Sequence, residues 1–171
     1  MDEQMALNLV IGIMQKRKVI FQIHPSGNEV RVPQGTSATY LRAERGNPSG
    51  RIFITFRSPL VNDIKLTARS EAKFFRWINA KNGGNRLCRL VAADPPMPAP
   101  AKSASRTMNL EMEYELLAEA LHEDVVMHVL QWFWMLADRF DDEAVKEFGG
   151  KRHVEPREPK DRKPVSETVE I

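Results

Sequence analysis

Cysteine is nearly absent from this chain, and no apolar run is long enough to cross a membrane. Cys88 is the one cysteine among 171 residues, which excludes an intrachain disulfide and a cysteine-based zinc site. The longest apolar stretches, residues 5–14 and 125–137, are shorter than the roughly 20 residues of a transmembrane helix. The N-terminus starts Met-Asp-Glu-Gln, without the positive charge that opens a secretory signal. We therefore expect a cytoplasmic protein that does not contact membranes.

Patterns typical of catalysis are also lacking. Gly83-Gly84 follows a predicted helix instead of opening one, so it does not have the context of a phosphate-binding loop. The four histidines lie apart in the sequence, and no serine lies in a Gly-x-Ser-x-Gly turn. We therefore expect a protein that is not an enzyme, with no catalytic residue, metal or cofactor.

A net charge of +2 conceals an uneven distribution of charge along the chain. Residues 1–94 carry 15 Lys and Arg against 7 Asp and Glu, whereas residues 108–148 carry 2 against 11. A basic segment is therefore followed by an acidic one. Because charge distribution informs about partners more than about fold, this asymmetry is the main functional clue.

Residues 1–94 are predicted to form a basic, β-rich domain. Apolar and polar residues alternate at 18–23, 29–33, 39–45 and 51–57, with turn-forming residues between them. Ser58-Pro59 is predicted to end the clearest strand, and residues 87–92 are a candidate closing strand. A helix is expected over 70–82 with Ser70 as its N-cap, and residues 5–14 fit either a strand or a short helix.

The rest of the chain is predicted to extend away from that domain. Residues 95–107 contain several prolines and are interpreted as a linker. Residues 108–148 are predicted to form a long, acidic, aromatic-rich helix, either continuous or broken once, with Asn109 as a candidate cap at its start, and 149–171 a charged, flexible tail. The predicted fold class is α+β: a small antiparallel sheet or barrel with one packed helix, then the linker and the long amphipathic helix.

The first functional hypothesis is binding of nucleic acid, with single-stranded DNA or RNA favoured. The outer face of strand 51–57 alternates arginines with Phe53, a combination that can neutralise phosphates and stack bases. Further basic and aromatic residues are expected to extend this surface. The predicted contacts are Lys16, Arg17, Lys18, Tyr40, Arg42, Arg45, Arg51, Phe53, Arg57, Lys65, Arg69, Lys73 and Arg76.

The acidic helix is predicted to bind a second copy of the chain or another protein. It is apolar nearly all round from residue 125 to 140, and such a helix must be buried on more than one side. The predicted contacts are Trp132, Phe133, Trp134, Met135 and Phe140. The alternative hypothesis is a non-enzymatic structural or assembly subunit, in which the acidic helix and the tail dock on neighbouring subunits.

Overall fold

A computed structural model describes residues 1–34, 37–85, 87–95 and 105–153. The chain is of the α+β class, as predicted, with three helices and an antiparallel sheet. The helices are α1 (Glu3–Lys16), α2 (Ala68–Gly84) and α3 (Glu123–Phe148). The strands are β1 (Gln22–Ile23), β2 (Glu29–Gln34), β3 (Ser37–Arg45), β4 (Ile52–Leu66), β5 (Arg89–Ala93), β6 (Arg106–Leu117) and β7 (Lys151–Arg152).

The strands form one sheet in the order β1-β2-β3-β4-β6-β5, and β7 adds to β4. The first four strands are antiparallel neighbours joined by turns, which places Tyr40 opposite Arg31 on one side and opposite Arg57 on the other. β6 then pairs with the free side of β4, with Glu113 opposite Arg57. Residues distant in sequence therefore become cross-strand neighbours at the centre of the sheet.

All three helices lie over one face of the sheet and bury it. Ile54 and Phe56 of β4 point into this core, and the Phe56 ring lies 6.1 Å from that of Phe133 on α3, between ring centroids. α2 packs on α3 through Trp77, whose ring meets those of Phe140 and Phe148 edge to face. The other face of the sheet is left without helices.

The acidic segment is the main correction to the predicted fold. Residues 106–117 form strand β6 at the interior of the sheet, so the helix predicted over 108–148 begins only at Glu123. Asn109 does not cap a helix; its side-chain oxygen accepts a hydrogen bond from the backbone N–H of Asp63, 3.1 Å away. The alternation of buried and more exposed side chains along β6 is that of a half-buried strand.

Several predicted boundaries also move. Pro59 does not end β4, because register shifts on either side of Val61 accommodate the irregularity and the strand continues to Leu66. α2 starts at Ala68, capped by Thr67, and Ser70 completes the capping box instead of acting as the N-cap. Residues 5–14 lie in helix α1. The strand predicted over 18–23 is reduced to the two residues of β1, which pair with β2 in antiparallel fashion, and the alternation along β3 is confirmed.

The structure describes only part of the predicted linker and part of the predicted tail. The predicted linker of 95–107 ends inside β6, and its residues 96–104 lie outside the described residues. The tail predicted for 149–171 starts with an ordered strand, because Lys151 and Arg152 pair with Asn62 and Val61 of β4. Residues 154–171 lie outside the described part of the chain.

Candidate functional site

The helix-free side of the sheet, called here the open face, carries four of the predicted nucleic-acid contacts. Tyr40, Arg42, Phe53 and Arg57 point to this side because they alternate along β3 and β4 with residues buried under the helices. The structure therefore brings these four side chains together on the paired strands β3 and β4. A polar groove of about 310 Å³ crosses the face, lined by Glu29, Tyr40, Arg42, Glu44, Thr55, Arg57, Arg89, Glu113 and Glu115.

Ion pairs link most of the arginines on the open face to carboxylates. Arg42 Nε lies 2.6 Å from Glu29 Oε2, directly across the β2–β3 pair. Arg89 of β5 reaches Glu113 of β6 at 3.1 Å between Nη2 and Oε2. Arg57 is held more loosely, with 3.6 Å between its Nε and Glu111 Oε2. Burial raises the pKa of Glu111, and the nearby Arg57 opposes that rise.

The open face is consequently not basic, contrary to the prediction. Its described side chains include four arginines and five glutamates: Arg31, Arg42, Arg57 and Arg89, with Glu29, Glu44, Glu111, Glu113 and Glu115. Three of the glutamates come from β6, the segment predicted to be helical. Placing the acidic segment beside the basic strands is what neutralises the predicted binding surface.

Phe53 is also less available for stacking than predicted. The turn at Gly46 lies on its ring, and a Cβ built on Gly46 would come within 2.6 Å of a Phe53 ring carbon. The residue at position 46 must therefore be glycine for this contact to persist. Phe53 remains half-buried against its own turn.

The predicted cations near α1 lie away from the open face. Lys16 and Arg17 at the end of α1 form ion pairs with Glu123 at the start of α3, and Arg17 also contacts Asp124. Arg45 points toward the helical side and pairs with Glu3, at 3.0 Å between Nε and Oε1. Lys18, Arg51 and Lys65 are exposed at separate places, in the loop after α1, the turn before β4 and the far end of β4.

The predicted basic stripe of α2 forms a surface of its own. Lys73 pairs with Glu147 of α3. Within the described residues, no carboxylate forms an ion pair with Arg69 or Arg76, and Phe75 beside them is 37% exposed. The outer face of α2 therefore keeps charge that no described carboxylate neutralises.

The five predicted partner contacts on α3 separate into core and surface. Phe133 and Phe140 are buried inside the protein's own core, so the prediction that they contact a partner is not compatible with this fold. Trp134 is half-buried, and its indole N–H has no hydrogen-bond partner among the described residues. Trp132 and Met135 are exposed, 42% and 67% respectively. Of the five predicted contacts, only these two are exposed.

An apolar groove of about 170 Å³ adjoins Trp132. It runs between α3 and the start of β5, and it is called here the α3 groove; its lining is Leu87, Cys88, Tyr114, Val125, His128, Val129, Trp132, Phe133 and Leu136. The spacings of four, three and four between Val125, Val129, Trp132 and Leu136 place one stripe of α3 along it. A stripe at this spacing on a surface helix is usually covered by another element.

Sequence reasoning missed Arg31, Arg89, His153 and the glutamates of β6. Burial and the nearby Arg31 and Arg57 lower the pKa of His153, which lies against Tyr40 on the open face. The position of the glutamates on a strand could have been predicted from sequence. Acidic or polar residues alternate there with apolar ones at the period of a strand, the apolar residues being Met108, Leu110, Met112 and Leu116. The positions of Arg89 and His153 depend on pairing that sequence patterns do not specify.

No known family model matches this chain, and no curated protein matches it in sequence. None of the described helices combines the length and apolar character that a bilayer crossing requires. Within residues 1–34, 37–85, 87–95 and 105–153, no three His, Cys, Asp or Glu side chains gather in a way that would hold a metal ion.

Proposed function

We propose that this protein is a non-enzymatic assembly module that associates with a second copy of itself through α3. The observation that carries the proposal is the exposure of Trp132 beside an apolar groove, on a helix whose opposite side is fully used by the core. Trp is among the residues most enriched at protein interfaces and at their energetic centres. The groove and the tryptophan belong to one continuous surface.

Self-association is favoured because that surface carries both a protrusion and a recess. Trp132 and Met135 stand out from α3, and the α3 groove lies directly beside them. Under a two-fold axis, the protruding side chains of one copy meet the groove of the other, and the reverse contact forms at the same time. The same surface then forms the interface on both copies, so no second apolar surface is needed.

The experiment compares two exposed aromatic residues by light scattering of the full chain over a concentration series. Trp132→Ser should weaken the dimer by about 2 kcal/mol or more, the size typical of a central interface residue. Phe75→Ser is the matched control, since Phe75 has a similar exposure of 37% but lies on α2. A wild-type chain that stays monomeric at all concentrations would overturn the proposal.

Nucleic-acid binding is a second candidate, and one observation favours it. Arg69 and Arg76 on the outer face of α2 have no ion-pair partner among the described residues, and the exposed Phe75 lies between them in sequence. Arginines that are not neutralised by the protein can contact phosphates, and an aromatic ring beside them can stack on a base. This candidate surface replaces the open face, where carboxylates accompany the arginines.

Fluorescence anisotropy with a labelled single-stranded oligonucleotide tests this second candidate. Arg69→Gln and Arg76→Gln should each weaken binding and reduce its dependence on salt. Arg42→Gln is the control on the open face, where Arg42 is already paired with Glu29. Absence of binding at low salt, or an equal loss in the control, would contradict a role for α2.

A further inference from the structure

A row of three side chains crosses the middle of the open face. The register places Arg31 directly opposite Tyr40 and Tyr40 directly opposite Arg57, on the adjacent strands β2, β3 and β4. Directly opposed side chains on neighbouring strands have Cβ atoms about 5 Å apart. Two arginine side chains therefore leave the sheet on either side of Tyr40, on the same face.

β7 adds a fourth group to this row. Strand pairing with β4 is followed by a hydrogen bond from the backbone N–H of His153 to Leu60 O, at 3.0 Å. The imidazole then lies against Tyr40, with 3.2 Å between its Nε2 and the phenol Oη, and the two rings meet edge to face. Asn62 Nδ2 lies 3.3 Å from Nδ1 of the same ring. The imidazole is thus fixed at both nitrogens.

These hydrogen bonds leave the Tyr40 hydroxyl able to donate. If the Asn62 amide donates to Nδ1 of His153, the neutral ring carries its proton on Nε2 and donates it to Tyr40 Oη. The hydroxyl proton of Tyr40 then has no acceptor among the groups bonded to it here. It is free to point along the row toward a bound acceptor.

The row also carries positive charge that the described residues neutralise only in part. Arg31 bonds the side-chain oxygen of Gln22, at 3.0 Å from Nη1, and forms no ion pair with a described carboxylate. Arg57 has only the longer contact to Glu111, 3.6 Å between Nε and Oε2. Burial lowers the pKa of His153, and both arginines lower it further, since each disfavours the protonated form of the ring.

The surroundings fit one compact anion better than a charged polymer. Glu113 faces Arg57 on the far side, and Glu29 lies one row away beside Arg42. A nucleic-acid backbone laid along the face would bring its other phosphates close to these carboxylates, whereas a single tetrahedral oxyanion contacts only the row. Arginine forks and a hydroxyl donor are the groups that bind phosphate most strongly in proteins.

We infer that Arg31, Tyr40, Arg57 and His153 form a binding site for one phosphate monoester, the group that a phosphorylated side chain of a partner polypeptide presents. The site lies on the opposite side of the sheet from α3, so it is independent of self-association. A dimer formed through α3 leaves both open faces accessible. The module would then pair with itself on one side and take a phosphorylated partner on the other.

The experiment follows the ring signals of His153 by NMR during pH titrations of the full chain. Inorganic phosphate is compared with chloride at equal ionic strength, and His153→Gln identifies the signal among the four histidines. Bound phosphate should raise the pKa of His153 by about one pH unit, because an anion beside the ring favours its protonated form. An unchanged pKa in phosphate would overturn the site.

Variants separate phosphate binding from a general effect of charge. Arg31→Gln should raise the pKa of His153 in chloride, because a cation is removed, and should abolish the further rise in phosphate. Tyr40→Phe keeps the charges and should weaken phosphate binding several-fold. Arg76→Gln, on α2, should leave both titrations as in the wild type. The same phosphate-induced rise in Arg31→Gln as in the wild type would contradict the assignment.

Two further ligands identify what carries the phosphate. A short peptide with one phosphoserine and uncharged neighbours should shift His153 at lower concentration than inorganic phosphate, and its unphosphorylated form should have no effect. A single-stranded oligonucleotide should bind no more tightly than that peptide. Tighter binding of the oligonucleotide, lost in Arg31→Gln, would overturn the polypeptide partner in favour of nucleic acid.

Discussion

The side-chain amide of Asn82 makes both hydrogen bonds of a strand partner to Leu90. Its Nδ2 donates to the Leu90 carbonyl at 3.0 Å, and the Leu90 N–H donates to its Oδ1 at 2.7 Å. Leu90 lies on β5, which ends one side of the sheet. Because the end of α2 occupies both backbone groups of Leu90, another strand cannot pair with β5 at this residue.

Loss of this amide should destabilise the fold and expose the edge. Asn82→Ala leaves the backbone N–H and carbonyl of Leu90 without a protein partner, which should lower the free energy of unfolding by about 1–2 kcal/mol. Urea unfolding measures the change, and Asn79→Ala on the exposed side of α2 is the control. The two variants should differ clearly; equal stability would mean that the amide contributes little.

A buried carboxylate should make stability depend on pH. Asp141 is 2% exposed, its Oδ1 has no hydrogen bond among the described residues, and burial raises its pKa to about 6, with Arg152 opposing and Asp138 adding to the rise. Since this pKa is higher in the folded than in the unfolded state, the folded state binds the proton more tightly, and stability should fall as pH rises from about 4 to 6.

The variant Asp141→Asn should remove that fall. Relative to the wild type it should gain stability between about pH 4 and pH 7, by on the order of 2 kcal/mol, because no charge has to be buried. Thermal unfolding over this pH range is the measurement. Asp142→Asn, at the exposed neighbour paired with Arg152, should change stability by less than about 1 kcal/mol at any pH. A parallel pH profile of wild type and Asp141→Asn would disprove the assignment.

The single thiol should be inert in the folded protein. Burial raises the pKa of Cys88 to about 11, and the bond from Asn85 Nδ2 to its Sγ, at 2.8 Å, offsets the rise only in part. Alkylation near pH 8 should therefore be about 100-fold slower than in the urea-unfolded chain, because the thiolate is the reacting form. Reaction at the unfolded rate would show that the α3 groove opens readily.

Strands β2, β3 and β4 could be predicted from sequence because buried apolar residues alternate with more exposed ones along much of each strand, whereas both residues of β1 are exposed. Leu41 on β3 and Ile54 and Phe56 on β4 are apolar and buried, and their neighbours in sequence are more exposed. The sequence therefore shows the two-residue alternation of a half-buried strand. The second half of the chain was harder. The sequence of β6 fits both a strand and a helix, because Leu110, Tyr114 and Leu117 also follow the spacing of four and three residues that a helix shows. Neither the strand pattern nor the helix pattern indicates which strand β6 would pair with.

The candidate sites were predictable only where one strand or helix contains them. Trp132 and Met135 share one helix, and both are exposed there. The neutral character of the open face depends on β6 pairing with β4 across about 50 residues, which charge counts along the sequence do not reveal. The charge counts show a basic segment and an acidic segment along the chain. Only the pairing of β6 with β4 shows that the two segments lie side by side.

The most direct measurement of self-association through α3 is the distance between spin labels in the full chain. Labels are placed at Met135→Cys in a Cys88→Ala background, with a second sample labelled at Phe75→Cys on α2. Packed helices have axes about 8–10 Å apart, so labels at 135 should be less than about 25 Å apart across the dimer. Labels at 75 should be farther apart. No dipolar coupling at 135, or a shorter distance at 75, would contradict the account.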